Sequence, residues 1–250
     1  MLKSGLVSIS FRELSTNQII EIVKKANLAS IEWGGDIHIP HGDLIKAKDV
    51  YTMCYNNGIS TPSYGSYYKL GTYKNYISYF KDVLDVAILL KSSTIRVWAG
   101  TKGFNEYNKN EFNTIIEEGK TICDLANKHN ISLSLEFHSN TLTDTSTSTL
   151  HLLNLINKPN LFSYWQPPVN RLVSDNINDI IKLSKKISNI HVFNWEDRNR
   201  KTLESGRDAW TRYFSYFDDK DRYCMLEFIK DNSIDQFYKD AKILKELINE

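Results

Sequence analysis

Ile131-Ser132-Leu133-Ser134-Leu135-Glu136-Phe137 is a short apolar run that ends on an acid. Three other short apolar runs end on a polar side chain, at Gln166, His191 and Glu227. The intervals between these four residues are 30, 25 and 36 positions. A strand and its crossover helix take roughly 30 residues, so the four mark successive turns of one βα repeat.

Working outward, β-type runs alternate with amphipathic segments along the whole chain. Strands are expected at 5–11, 29–33, 60–64, 94–99, 131–137, 162–165, 190–194 and 223–228. Several are apolar on both faces, as in Thr94-Ile95-Arg96-Val97-Trp98, which suits a parallel sheet covered outside and packed within. Ser15 is placed to cap a first helix. Residues 73–90 carry Tyr76, Phe80, Val83, Leu84, Ala87 and Leu90 at helical spacing. Segments 110–129, 145–156, 177–187, 207–217 and 235–247 behave likewise. Eight strands, each followed by a helical stretch, predict an α/β fold: one (β/α)8 TIM barrel, a single domain over residues 1–250. About 250 residues is the usual length of that fold. No Gly-x-Gly-x-x-Gly follows the first strand, which removes the main argument for a dinucleotide-binding sheet.

Composition narrows the partners. The 31 Lys and Arg balance 30 Asp and Glu for a net charge of +1, so nothing recruits nucleic acid or a membrane surface. Cys54, Cys123 and Cys224 are far apart with no C-x-x-C pair and read as reduced thiols of a cytoplasmic protein. No apolar run approaches the ~18 residues of a membrane span, and the start of the chain passes directly into a strand pattern without a signal peptide.

In such a barrel the C-terminal strand ends converge on one pocket. Glu136 and Glu227 would face the inside of apolar strands, where an acid is costly unless it is paired or ligates a cation. Arg96 or a backbone N–H is the alternative partner. Two carboxylates, the His191 imidazole and the Gln166 amide oxygen would make a site for Mn, Mg or Co, with Zn also compatible. Gln166 carries no charge, so it either ligates weakly or only hydrogen-bonds a ligand. Around this set, Glu32 ends the second strand and Gly34-Gly35 allows a sharp turn. His38 and His41 follow on the loop over the mouth, His38 as a candidate for substrate hydroxyls and His41 as an ordinary loop histidine. Arg96 is expected to neutralise an interior acid, with a substrate oxygen as its second role. His138 is expected to line the pocket, and Asp144 or Thr143 to cap the following helix. Trp33, Trp98, Trp165 and Trp195 sit at strand ends, where indole faces either bind sugars or pack the rim. The basic loop 196–207 reads as a solvated surface.

Taken together, Ile31-Glu32-Trp33-Gly34 with Asp36 and His38, Ile95-Arg96-Val97-Trp98-Ala99-Gly100, Leu135-Glu136-Phe137-His138, Trp165-Gln166-Pro167, Ile190-His191-Val192 and Leu226-Glu227 resemble the xylose isomerase-like barrels, in their sugar (phosphate) isomerase/epimerase branch. The resemblance implies that Glu136 and Glu227 are both metal ligands and proton-transfer groups, and that His191 is a ligand. Where the pattern has an aspartate followed by a histidine, this chain has Gln166 and then Asn170. The implied activity is a metal-dependent isomerase or epimerase acting on a sugar or sugar phosphate. Its reaction is a proton shift next to a carbonyl through a cis-enediolate. Glu32, His38, Arg96, Trp98, His138, Asn170 and Trp195 are the expected substrate-binding residues, and a homodimer is compatible. A dehydratase or lyase would use the same residues, whereas a non-catalytic sugar-binding or regulatory barrel would explain Gln166 as a degraded metal site. A nuclease of the endonuclease IV type needs more histidine and acidic ligands than these six histidines supply.

Overall fold

Every barrel strand pairs in parallel with its neighbours, and the first closes against the last. The computed structural model describes residues 1–250. Its strands are β1 Leu2–Val7, β2 Ser30–Gly34, β3 Ser63–Lys69, β4 Thr94–Trp98, β5 Ser132–Glu136, β6 Leu161–Trp165, β7 Ile187–Val192 and β8 Arg222–Leu226. The outer helices are α1 Thr16–Ala26, α2 Leu44–Asn56, α3 Tyr76–Leu89, α4 Lys109–Asn127, α5 Ser146–Ile156, α6 Val173–Leu183, α7 Arg207–Phe214 and α8 Ile234–Ile248. This is a (β/α)8 TIM barrel. A two-residue hairpin, Trp195–Glu196 with Asn199–Arg200, rises from the loop after β7.

Strand alternation sorts the side chains. Ile31, Trp33, Ile95, Val97, Leu133, Leu135, Ile190, Val192 and Leu226 join the helices' Val23, Val50, Phe80, Ile122, Leu152, Ile180 and Phe237 in one buried core. The residues between them, Glu32, Arg96, Ser134, His191 and Met225, are buried too. Barrel interiors are usually filled by branched aliphatics; here a charged layer replaces them near the C-terminal strand ends. Helix starts are fixed by side-chain caps: Ser15 with Gln18, Asn108 with Glu111, and Ser233. Each satisfies backbone N–H groups that a first turn leaves open.

Several expected boundaries shift, each for a local reason. β1 ends at Val7 rather than Phe11, because the chain turns into a short 3-10 helix, Ser8–Phe11, and Ser8 Oγ accepts the Gly34 N–H. β3 begins at Ser63, past Pro62, which has no N–H to give a ladder, and it runs on to Lys69. α6 stops at Leu183, and β7 then starts at Ile187 after a 3-10 turn. The cap of α5 is Thr145, whose Oγ1 accepts the Ser148 N–H; Asp144 instead accepts the Ser148 hydroxyl. No helix is long and apolar enough to cross a membrane.

Candidate active site

Glu136 is the last residue of β5 and His191 the last but one of β7, while Gln166 and Glu227 directly follow β6 and β8. Closure of the barrel brings all four to one point. His191 Nδ1 lies 3.1 Å from Gln166 Oε1, 3.5 Å from Glu227 Oε2 and 4.0 Å from Glu136 Oε1. Gln166 Nε2 donates to Glu136 Oε1 at 3.4 Å.

A second layer holds this set in place. Arg96 Nε donates to Glu32 Oε1 at 2.8 Å, and its Nη1 donates to Glu136. Ser63 Oγ donates to Glu32 Oε2 at 2.6 Å. The other His191 nitrogen, Nε2, faces Glu32 Oε1 at 3.4 Å. Arg96 thus neutralises two interior acids, and Glu32 orients the imidazole. Arg96 Nη2 has no acceptor; it lies against Gly65, where a Cβ would stand 2.6 Å from it.

Burial and charge set the protonation states. Burial would raise the pKa of Glu32, but the charges of Arg96 and His191 outweigh it and keep the carboxyl far below its ordinary range. For His191 burial acts downward, yet the Glu227 and Glu32 carboxylates prevail and lift the imidazole above its ordinary value. Glu227 is pushed up to about 7, first by desolvation and then by the nearby Glu136 charge, against the pull of His191. Its Oε2 is buried without a hydrogen-bond partner.

These donors can be tested against a cation. Oxygen and nitrogen ligands bind at about 2.0–2.2 Å, which sets cis ligands of an octahedral ion roughly 2.8–3.1 Å apart. The 3.1 Å from His191 Nδ1 to Gln166 Oε1 has that size, whereas the 3.5 Å to Glu227 Oε2 exceeds it. A metal-binding histidine usually gives its second N–H to a carboxylate, as Nε2 does toward Glu32. Histidine, cysteine and acidic side chains by themselves form no metal-holding group of three. Any cation held here would therefore depend on the Gln166 amide oxygen.

The cluster opens through Gln166 into a cavity of about 290 Å³. Phe137, Phe193, Trp195 and Phe228 supply its aromatic walls, Pro167 and Pro168 one rim, and His138 and Asp144 its polar side. His138 stacks on Trp98 with ring centroids 4.6 Å apart. Lys69 Nζ lies 4.9 Å from the Trp98 ring centroid. His38 is placed differently from a mouth residue. It is buried, its Nδ1 bonded to Ser8 Oγ at 2.9 Å and its Nε2 to Leu14 O at 3.2 Å, so it ties β1's turn to β2's loop. Asn170 is exposed, and its Oδ1 accepts the Asp197 N–H at 3.2 Å, which anchors the hairpin. Trp33 and Trp165 are wholly buried in the core.

Two aromatic residues beside the cluster are not among the site residues that the sequence suggests. The guanidinium of Arg96 lies 5.2 Å from the Tyr67 ring centroid, and Phe228 walls the cavity beside Glu227. Both have left-handed backbones, with φ of 56° and 53°, strained for bulky side chains. Gly65 inside β3 is the available signal, since a glycine within a strand marks close approach.

A model of the xylose isomerase-like TIM barrel matches residues 20–247. The chain belongs to that family. A 3-dehydroshikimate dehydratase of Bacillus anthracis is 28% identical over 167 residues, which is 64% of this xylose isomerase-like barrel and 60% of that relative. The chain therefore matches somewhat less than two thirds of that curated relative. The crystal structure of the probable 3-DHS dehydratase AsbF of Bacillus anthracis, involved in petrobactin synthesis, superposes with a TM-score of 0.82 at 21% identity, covering 98% of this chain and 99% of that one. D-psicose 3-epimerase of Clostridium cellulolyticum H10, solved with D-tagatose, gives 0.75 at 13% identity over 99% and 98%. At these identities the two structures establish the barrel fold.

Proposed function

We propose that this barrel is a dehydratase that eliminates water from a hydroxylated cyclic ketone of the 3-dehydroshikimate class. The observation that carries the reading is the cavity itself. Of the cluster, Gln166 lines it, between walls of Phe137, Phe193, Trp195 and Phe228; Glu136 is bonded to Gln166, and Glu136 and Glu227 both lie against His191. Flat aromatic walls suit a six-membered ring that becomes planar as it reacts. The relative at 28% identity bears the corresponding name.

Elimination needs a base and an acid. Glu136, ion-paired to Arg96, takes the proton from the carbon next to the carbonyl. The C–H electrons form the new C=C bond, the C–O bond of the β-hydroxyl breaks, and a carboxyl proton from Glu227 leaves with it as water. Glu227, pushed up to about 7 by burial, carries that proton at neutral pH. Loss of one water from 3-dehydroshikimate, followed by tautomerisation, gives a dihydroxybenzoate. Positioned acid and base groups of this kind typically contribute ~10²–10⁴-fold. Glu136, Gln166 and His191 would hold a divalent cation (Mn, Mg, Co or Zn), which would supply Lewis acidity at the carbonyl oxygen, while Glu227 stays outside the ligand set and keeps its proton.

The same two carboxyl groups could instead remove and return one proton on a ketose, and this is the second reading, epimerisation or isomerisation. One experiment separates them. The protein with Mn²⁺ is given 3-dehydroshikimate, and near-ultraviolet absorbance of an aromatic acid is followed. In parallel, ketoses and their phosphates are incubated in D₂O and examined for deuterium uptake. Aromatic product supports the dehydratase. Deuterium uptake without aromatic product moves the epimerase first, and neither result favours a sugar-binding barrel without catalysis.

A further inference from the structure

A second cavity, of about 230 Å³, lies between the N-terminal part of α6 and α7. Pro167, Pro168, Val169, Phe193 and Trp195 separate it from the catalytic cavity, since they line both. Its depth is polar in one place. Asn176, 2% exposed, donates from Nδ2 to the Tyr213 hydroxyl at 3.0 Å. That leaves Asn176 Oδ1 buried without a donor and the Tyr213 O–H proton free to be given. A buried amide oxygen without a partner is costly, and none of the charged residues around it meets it. Arg171 is already paired with Asp179.

We propose that this cavity is a binding site for a small hydroxylated aromatic ring. A ring hydroxyl would donate to Asn176 Oδ1 and accept from Tyr213, using both vacant functions at once. The ring would lie among Trp210, Phe193, Trp195 and the two prolines, where aromatic faces pack well. A charged ring fits worse, because its desolvation would go uncompensated at that depth. The volume is below the roughly 300–1,000 Å³ of cavities for drug-sized ligands, so one ring is the right scale. An occupant would press on Trp195 and Phe193, the shared wall, and so bear on the catalytic cavity from behind. The assignment does not depend on which reaction the barrel runs.

Ligand-observed NMR with phenol and toluene tests it. Wild type should bind phenol more tightly than toluene. Tyr213→Phe, which keeps the ring, and Asn176→Leu should each weaken phenol about tenfold and leave toluene unchanged. Ala209→Phe, which fills the cavity, should abolish both, with circular dichroism checking that all three variants are folded. Should Asn176→Leu not fold, Tyr213→Phe and Ala209→Phe decide. Phenol binding that persists in the folded variants, or its absence from wild type, overturns the proposal.

Discussion

His191 Nδ1 and Glu227 Oε2 stand 3.5 Å apart inside the barrel, where the Glu227 charge lifts the imidazole and burial lifts Glu227 against the pull of His191. His191 is lifted above its ordinary value, and Glu227 rises from 4.5 to about 7. Both folded-state values are raised, so the stability they contribute is fully present at acid pH and is lost as pH climbs through about 7. For Glu227 alone the span amounts to no more than about 3 kcal/mol. Chelator-treated wild type should therefore lose stability between about pH 5 and pH 8 in urea unfolding. Glu227→Gln, neutral throughout, should flatten that slope. A variant with an unchanged slope would assign the effect elsewhere.

Arg96 is the counter-ion of the interior. Replacing it by methionine leaves Glu32 and Glu136 buried without their cation, and breaking such a pair costs about 3–5 kcal/mol. At roughly 2–4 °C per kcal/mol for a chain this long, Arg96→Met should melt about 6–20 °C lower by calorimetry. Gly65→Ala should act through the same contact, because the added carbon would stand 2.6 Å from Arg96 Nη2 and 2.8 Å from Glu32 Oε1. Wild-type melting in both variants would remove Arg96 from the stability argument.

How far these features could be read from the sequence depended on whether the signal was local. The repeat is legible because four of the apolar runs end on a polar residue at βα spacing, and Glu136, Gln166, His191 and Glu227 do meet at one point. The expectation that Arg96 neutralises an acid matches its bonds to Glu32 and Glu136. His38 could not be placed, because its partners, Ser8 and Leu14, belong to another strand's turn. Tyr67 is not legible because the β-type pattern at 60–64 stops short of it, whereas β3 runs on to Lys69 through its left-handed backbone. The strand and helix ends moved by a few residues wherever a proline or a 3-10 turn outweighed apolar pattern.

Metal affinity should follow the charge on Gln166. Calorimetric titration of chelator-stripped protein with Mn²⁺ should show micromolar or tighter binding, with Glu136→Gln losing it. Gln166→Glu, equal in length but charged, should bind more tightly. Binding must displace the proton held by His191, so affinity should fall at lower pH and the measured heat should depend on the buffer. If wild type and Gln166→Glu both fail to bind, the cluster is a polar network without a cation.

The two glutamates should fail in different ways. Glu136→Gln and Glu227→Gln are each expected to lower turnover by ~10²–10⁴-fold while circular dichroism stays native. Residues that act as one unit lose activity together, so the double variant should be scarcely slower than either single one. The pH profiles should separate them. Wild-type turnover should decline above about pH 7 as Glu227 gives up its proton, and Glu227→Gln should lose that limb from whatever activity remains. Glu136→Gln, which retains the acid, should keep it. A high-pH limb that stays in Glu227→Gln would mean that another group delivers the proton, with His191, the nearest titrating neighbour, next to be substituted.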